Sequence, residues 1–215
     1  MIEYRLIRSK RRTLSISVDG EGALVVRAPL RMAKGEIEAF LLQKQRWIQE
    51  KQALAQSQER FSLCHDARMP FNGGFLRLRL CDVPMGMDRD GLLLLPAETP
   101  LEAARAWRRL RAETLLALRI RHWVQITGLT PSGVQYTNAR KRWGSMSSQR
   151  VLRLNTALIH CPPECQDYVI VHELCHIAQM NHSPAFHALV RSFLPHADTL
   201  RKQLSQRSSY TTLLS

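Results

Sequence analysis

The segment from Pro162 to Ala178 constrains the fold more than any other part of the chain. Tyr168, Val169, Ile170, Val171, Leu174, Ile177 and Ala178 leave no polar face. A helix that is apolar nearly all round belongs in the centre of a protein. Pro162-Pro163-Glu164 supplies its start, with proline and an acid in the first turn. The pattern predicts a buried helix near 163–180. Three polar residues stand inside it: His172, Glu173 and His176. Each costs free energy in an apolar interior unless it finds a partner.

Their spacing suggests what the partner is. His172 and His176 are one helical turn apart and share a face. Two imidazoles so placed can hold one zinc ion. Glu173 can reach a zinc-bound water without being a ligand. The metal lowers the pKa of that water, the carboxylate takes its proton, and the hydroxide can attack a carbonyl or a phosphorus.

A catalytic zinc needs a third protein ligand and keeps one position for water. No glutamate follows His176, and Asp198 is the only acid beyond it. The candidates are therefore His182, His187, His196 and Asp198. His182 has the third-histidine spacing of H-E-x-x-H-x-x-G-x-x-H, which favours it over His187. Gln179 stands where that pattern has glycine. Asn181 tolerates the left-handed conformation and is expected to make the turn. His187 stays open as a substitute ligand or a neighbour of the site. Tyr168, one turn before His172, is expected to pack in the core, and Cys175 to fill apolar space.

Elsewhere the first thirty residues read as strands. Tyr4–Ile7 and Leu14–Val18 alternate, Asp19-Gly20-Glu21-Gly22 turns, and Ala23–Ala28 completes a hairpin in a small antiparallel sheet. Residues 33–55 read as one helix with Ile37, Phe40, Leu41, Lys44, Trp47 and Ile48 on one stripe. Arg60 to Pro70 reads as a connection. Phe75–Leu80 alternates and can pair with Leu92–Leu95 across a loop from Asp82 to Gly91. Thr99-Pro100-Leu101-Glu102 starts a helix that runs to Thr127 and stops at Gly128. Leu110, Leu115, Leu118, Trp123 and Ile126 are expected to face its core. Val134–Thr137 and Val151–Ile159 read as strands around a basic, turn-like loop, Arg140 to Ser145. Helices at 184–194 and 195–204 and a loose polar tail from Ser205 to Ser215 complete the chain.

Five cysteines, an odd number, argue against a disulfide framework. No run of eighteen apolar residues suggests a membrane span, and the N-terminus shows no secretory pattern, so a cytoplasmic location is the expectation. The net charge is +13. Residues 101–160 contribute most of it, with 11 basic residues and 2 acidic ones. Such a field attracts polyanions, nucleic acid included.

Several of these residues together resemble a known family. Arg142-Trp143-Gly144-Ser145, Leu154-Asn155, Leu158, Pro162, Asp167-Tyr168-Val169, His172-Glu173-Leu174-Cys175-His176 and Asn181-His182-Ser183-Pro184-x-Phe186 resemble the YgjP-like metallopeptidases, relatives of the SprT-like and WLM zinc proteases. The resemblance implies His172, His176 and His182 as zinc ligands and Glu173 as general base. It also places Arg142 and Trp143 near the substrate cleft. Two positions depart from the family pattern: His187 stands where tryptophan is usual, and Met146–Arg150 lacks a loop glycine.

The expected fold is α+β and zincin-like. An antiparallel strand-rich region, 1–98, precedes a catalytic region, 99–204, and a polar tail, 205–215. The expected activity is peptide-bond hydrolysis with one zinc ion per chain and a polypeptide substrate. One rival is hydrolysis of nucleotide phosphoanhydrides, with Arg140, Lys141 and Arg142 on the phosphates. Another is a non-catalytic basic module that binds nucleic acid and uses zinc as structure. The oligomeric state is left open by the sequence.

Overall fold

The computed structural model describes residues 2–19, 22–57 and 62–214. These form a mixed α+β chain with three sheets and six α-helices among the described residues. The chain divides into two compact units, residues 1–60 and 61–215.

In the first unit, β1 (Arg5–Ser9), β2 (Ser15–Val18) and β3 (Leu24–Pro29) form a sheet of order β1-β3-β2. The hairpin read from the sequence is β2–β3, with Ile16 opposite Val26. β1 runs parallel to β3 along its other side, so this sheet is mixed rather than antiparallel. Alternation reports which face a residue takes, not the direction of its strand. The helix expected over 33–55 divides into α1 (Lys34–Gln43) and α2 (Gln45–Ser57). Lys44 leaves the helical conformation and turns its N–H to Phe40 O and Leu41 O, both at 3.1 Å. Ile37, Leu41 and Ile48 share a core with Leu24, Val26 and Ala28.

The second unit opens with β4 (Arg68–Phe71), β5 (Gly74–Cys81), β6 (Met87–Arg89) and β7 (Leu92–Pro96), ordered β4-β5-β7-β6. β5 and β7 pair as expected, but in parallel, with Leu78 opposite Leu93. β4 and β6 lie where connections were expected. Both are short edge strands, and an edge tolerates the missing N–H of Pro70. The β4–β5 turn is Asn72-Gly73, both with positive φ, a pair suited to a tight hairpin. Its tip meets α4 (Pro163–Cys175): a Cβ on Gly73 would lie 3.2 Å from Pro163 Cδ.

Next comes α3 (Pro100–Thr127), ended by Gly128 in the left-handed conformation. Thr99 precedes it but makes no capping bond through its side chain. The buried stripe is Ala104, Trp107, Ala112, Leu116, Ile120 and Trp123. Of the residues expected inward, Leu110, Leu118 and Ile126 are 61%, 55% and 49% exposed. Large apolar residues occur on both faces of α3, and size alone does not mark the inward one.

The third sheet contains β8 (Gly133–Thr137), β9 (Gly144–Met146) and β10 (Val151–Asn155), in the order β8-β10-β9. β10 is central, parallel to β8 and antiparallel to β9. It stops at Asn155, and Thr156–His160 form a 3-10 helix rather than more strand. β9 begins inside the segment read as a turn-like loop, Arg140 to Ser145, and ends one residue beyond it. After α4 come α5 (Pro184–Phe193), capped by Ser183 Oγ on Phe186 N–H at 3.3 Å, and α6 (Ala197–Gln206). The segment read as a loose tail packs instead. Ser208–Thr212 form a 3-10 turn, Leu214 is buried, and its carbonyl accepts from Arg105 Nε at 2.7 Å. Among the described residues, no helix is long and apolar enough to cross a membrane.

Candidate metal centre

The last turn of α4 carries His172 and Glu173. The helix ends earlier than the apolar pattern suggests. His176 is its capping residue, still in the right-handed conformation. The N–H groups of His176, Ile177 and Ala178 bond to carbonyls three residues back, at 3.2, 2.9 and 3.1 Å. This tightening is typical of a helix end. The chain then reaches His182 with no left-handed residue at position 181. Asn181 is exposed and does not make the turn in the expected way.

These elements bring three imidazoles together. One nitrogen from each of His172, His176 and His182 lies within 4.8 Å of the other two. The Nε2 atoms of His172 and His182 face each other at 3.1 Å. Phe186, fully buried, supports all three rings, with centroids 4.9, 4.5 and 4.9 Å from His172, His176 and His182. His176 donates Nδ1–H to Gln179 O at 3.0 Å, which leaves its Nε2 lone pair free. His187 stands apart from this group, its ring 6.2 Å from that of His182. His196 is exposed. Asp198 is held on the surface by Arg191 at 3.1 Å and Arg201 at 3.6 Å.

The donor set fits a cation. Four-coordinate zinc about 2.0–2.1 Å from each imidazole nitrogen would keep the nitrogens roughly 3.3 Å apart, close to the spacing of His172 and His182. Burial, then the neighbouring His176 and His182, hold His172 down at about 4. Burial likewise lowers His176. Both rings therefore keep their lone pairs at neutral pH. Without a cation, two acceptor nitrogens facing each other in a half-buried site have no favourable arrangement unless one carries a proton.

Glu173 is buried beside them. Desolvation raises its carboxyl to about 7, against the opposing effects of a hydrogen bond from Met146 N–H and the charge of Arg142. β9 thus borders this carboxylate. A Cβ on Gly144 would lie 2.8 Å from Glu173 Cγ and 3.0 Å from its Oε1. β9 and the loop before it are held by Asn155. The Asn155 Nδ2 group donates to Ala139 O at 2.6 Å and Arg142 O at 2.8 Å, and its main-chain N–H donates to Trp143 O at 2.8 Å. Burial pushes the Cys175 thiol up to about 11, which suits a packing residue.

His172 and Glu173 both face a cavity of about 300 Å³. Trp143, Tyr168, Val169 and Leu204 supply apolar wall, and Arg142 and Arg201 also line it. Tyr168 is buried and also borders the cavity, its ring 5.7 Å from that of His172. Gly144, Asn155 and Phe186 belong to the segments quoted for the resemblance, but no role for them is readable there. Arg201 and Leu204 carry no motif at all; only the return of α6 against α4 reveals them.

A family model for the YgjP-like metallopeptidase domain matches residues 12–207. The chain belongs to the YgjP-like family. Its members are classed as metallopeptidases, so the chemistry to explain is metal-assisted hydrolysis of peptides, and the histidine cluster could hold the divalent metal. No curated protein matches the chain. Two crystal structures of metallopeptidase zymogens are similar to part of it. Abylysin of Pyrococcus abyssi is 19% identical over 43% of this chain and 94% of its own, with a TM-score of 0.40. Jannalysin of Methanocaldococcus jannaschii is 21% identical over 43% of this chain and 95% of its own, with a TM-score of 0.39.

Proposed function

We propose that this YgjP-like protein is a zinc-dependent peptidase of zincin-like design, with residues 99–204 as its catalytic region. His172, His176 and His182 would hold one zinc ion, and Glu173 would act as general base and then general acid. The observation that supports this reading best is the convergence of three imidazole nitrogens within 4.8 Å, beside a cavity that Glu173 also lines.

When bound, zinc supplies Lewis acidity, which acidifies water and polarises a carbonyl oxygen. The remaining work falls to the chain. Burial keeps the lone pairs of His172 and His176 free of protons. The His176 Nδ1–H bond to Gln179 O fixes which nitrogen faces the cluster. Glu173 takes a proton from the attacking water and returns it to the leaving amine. Met146 N–H and the space above Gly144 hold that carboxylate in place.

The test is metal content by elemental mass spectrometry, paired with peptide cleavage. The samples are wild type, His172→Ala, His182→Ala, His187→Ala and Glu173→Gln. The expected result is about one zinc per chain in wild type, lost in the first two variants and kept in the last two. Glu173→Gln should keep the metal and lose turnover. Wild type that takes up no metal on titration would remove the reading. Hydrolysis of nucleoside triphosphates without cleavage of any peptide would move it to the phosphoanhydride class.

A further inference from the structure

The cavity beside His172 and Glu173 differs from a featureless cleft in two respects. Its walls are apolar side chains from three elements: Trp143 from the segment before β9, Tyr168 and Val169 from α4, and Leu204 from α6. At about 300 Å³ it lies at the lower end of the range for sites that take small ligands, and it suits a single large side chain. Its charged lining is one-sided. Arg142 and Arg201 both line it, and Glu173 is the only acid among the described residues that do. Arg142 makes no ion pair among the described residues, and Arg201 shares an exposed Asp198 with Arg191. Both arginines are solvent-exposed residues. They therefore sit at the mouth, where they meet what flanks an inserted side chain.

We infer that this cavity is a specificity pocket for peptides in which a large apolar residue is followed or preceded by an acidic side chain. The apolar residue fills the space between Trp143, Tyr168 and Leu204. Its acidic neighbour lies at the rim against Arg142 and Arg201. Because His172 and Glu173 line the same cavity, the residue that fills it lies beside the bond presented for cleavage. The inference rests on the peptidase reading and names its substrate class. An internal acidic side chain is favoured over a terminal carboxylate, because both arginines are exposed at the rim and neither is buried at the floor.

The test separates binding from turnover. Glu173→Gln full-length protein is titrated into four fluorescein-labelled, C-terminally amidated alanine hexapeptides, and anisotropy is read. Their central pairs are phenylalanine-glutamate, phenylalanine-lysine, alanine-glutamate and alanine-alanine. A fifth peptide ends in phenylalanine with a free carboxylate. Phenylalanine should strengthen binding about tenfold over alanine. Glutamate should strengthen it roughly two- to fivefold over lysine, as expected for exposed charges. The double variant Arg142→Glu with Arg201→Glu should invert the glutamate–lysine order. Ser205→Trp, at an exposed position on the cavity lining, should erase the phenylalanine preference without touching the core. Equal binding of all the amidated peptides, or tightest binding of the free-carboxylate peptide, would overturn the inference. Cleavage by zinc-loaded wild type is measured in parallel. Selective binding without any cleavage keeps the pocket and removes the peptidase reading, whereas cleavage without selective binding does the reverse.

Discussion

Gly144 and Glu173 are in contact across the gap between β9 and α4, and any larger residue at 144 forces one of them to shift. The missing Cβ would lie 2.8 Å from Glu173 Cγ and 3.0 Å from both Glu173 Oε1 and Val169 Cγ1. Real carbon atoms do not approach so closely. Gly144→Ala must therefore displace the Glu173 side chain, strain β9, or both. Small-to-large changes in packed sites cost about 1–3 kcal/mol. Here the displaced group is the proposed base, and a misplaced base costs roughly tenfold in rate for each 1.4 kcal/mol of lost stabilisation. The expected outcome is a kcat at least about tenfold lower with zinc content unchanged. An unaltered kcat would mean that Glu173 does not need this position.

Asn155 is the clamp behind that contact. Its side chain and main chain together hold the carbonyls of Ala139, Arg142 and Trp143, and its Oδ1 accepts from Ala157 N–H at 3.0 Å. Asn155→Ala removes the partner of the buried Ala157 N–H and of the less buried Ala139 and Arg142 carbonyls. Each buried group left unpaired costs about 1–3 kcal/mol, so urea denaturation should show a loss of roughly 2–4 kcal/mol. Asn155→Asp keeps the acceptor and removes the donor, and it should lose nearly as much. A loss below about 1 kcal/mol in both variants would show that water replaces the clamp.

What could be read beforehand follows from how local each signal is. His172, Glu173 and His176 were legible as candidates because an apolar helix with three polar residues has few explanations. That His182 would join the two histidines was legible from its spacing. The helix end at Cys175 was not, since the apolar pattern continues through Ile177 and Ala178 while the backbone tightens around His176. The inward face of α3 was misread because Leu110 and Leu118 are large and apolar yet exposed. Strand direction was also hidden: each of the three sheets contains a parallel pair, and alternation does not encode direction. Gly144, Arg201 and Leu204 reach the site only through tertiary packing, which no spacing in the sequence expresses.

Phe186 supports the three imidazoles from below, within 4.9 Å of each ring centroid. Phe186→Ala opens a cavity there and should cost about 3–5 kcal/mol. Phe186→Leu roughly keeps the volume and should cost under about 1.5 kcal/mol. If the ring positions the ligands, the leucine variant will stay folded yet bind zinc more weakly in a competition titration with a chelator. Unchanged zinc affinity in the folded leucine variant would reduce Phe186 to a core residue.

His160 gives the fold a pH dependence that does not involve the candidate metal centre. It is buried between the β4 strand and the C-terminal 3-10 turn, where Nδ1–H donates to Pro70 O at 2.7 Å and the ring meets Tyr210 edge-on. Burial holds its pKa down at about 4, with the charge of Arg108 adding to the effect. In the unfolded chain it would titrate near 6.5. Between those values the unfolded state binds more protons, so stability rises with pH across this window. The contribution is complete above about 6.5 and is lost as pH falls through 4, a change of roughly 3 kcal/mol. His160→Asn keeps a donor for Pro70 O and removes the titration. Its absolute stability will be lower because the ring is gone. The informative quantity is the slope: urea midpoints of wild type should fall more steeply than those of the variant between pH 6.5 and pH 4. Parallel slopes would mean that His160 accepts its proton without unfolding its surroundings.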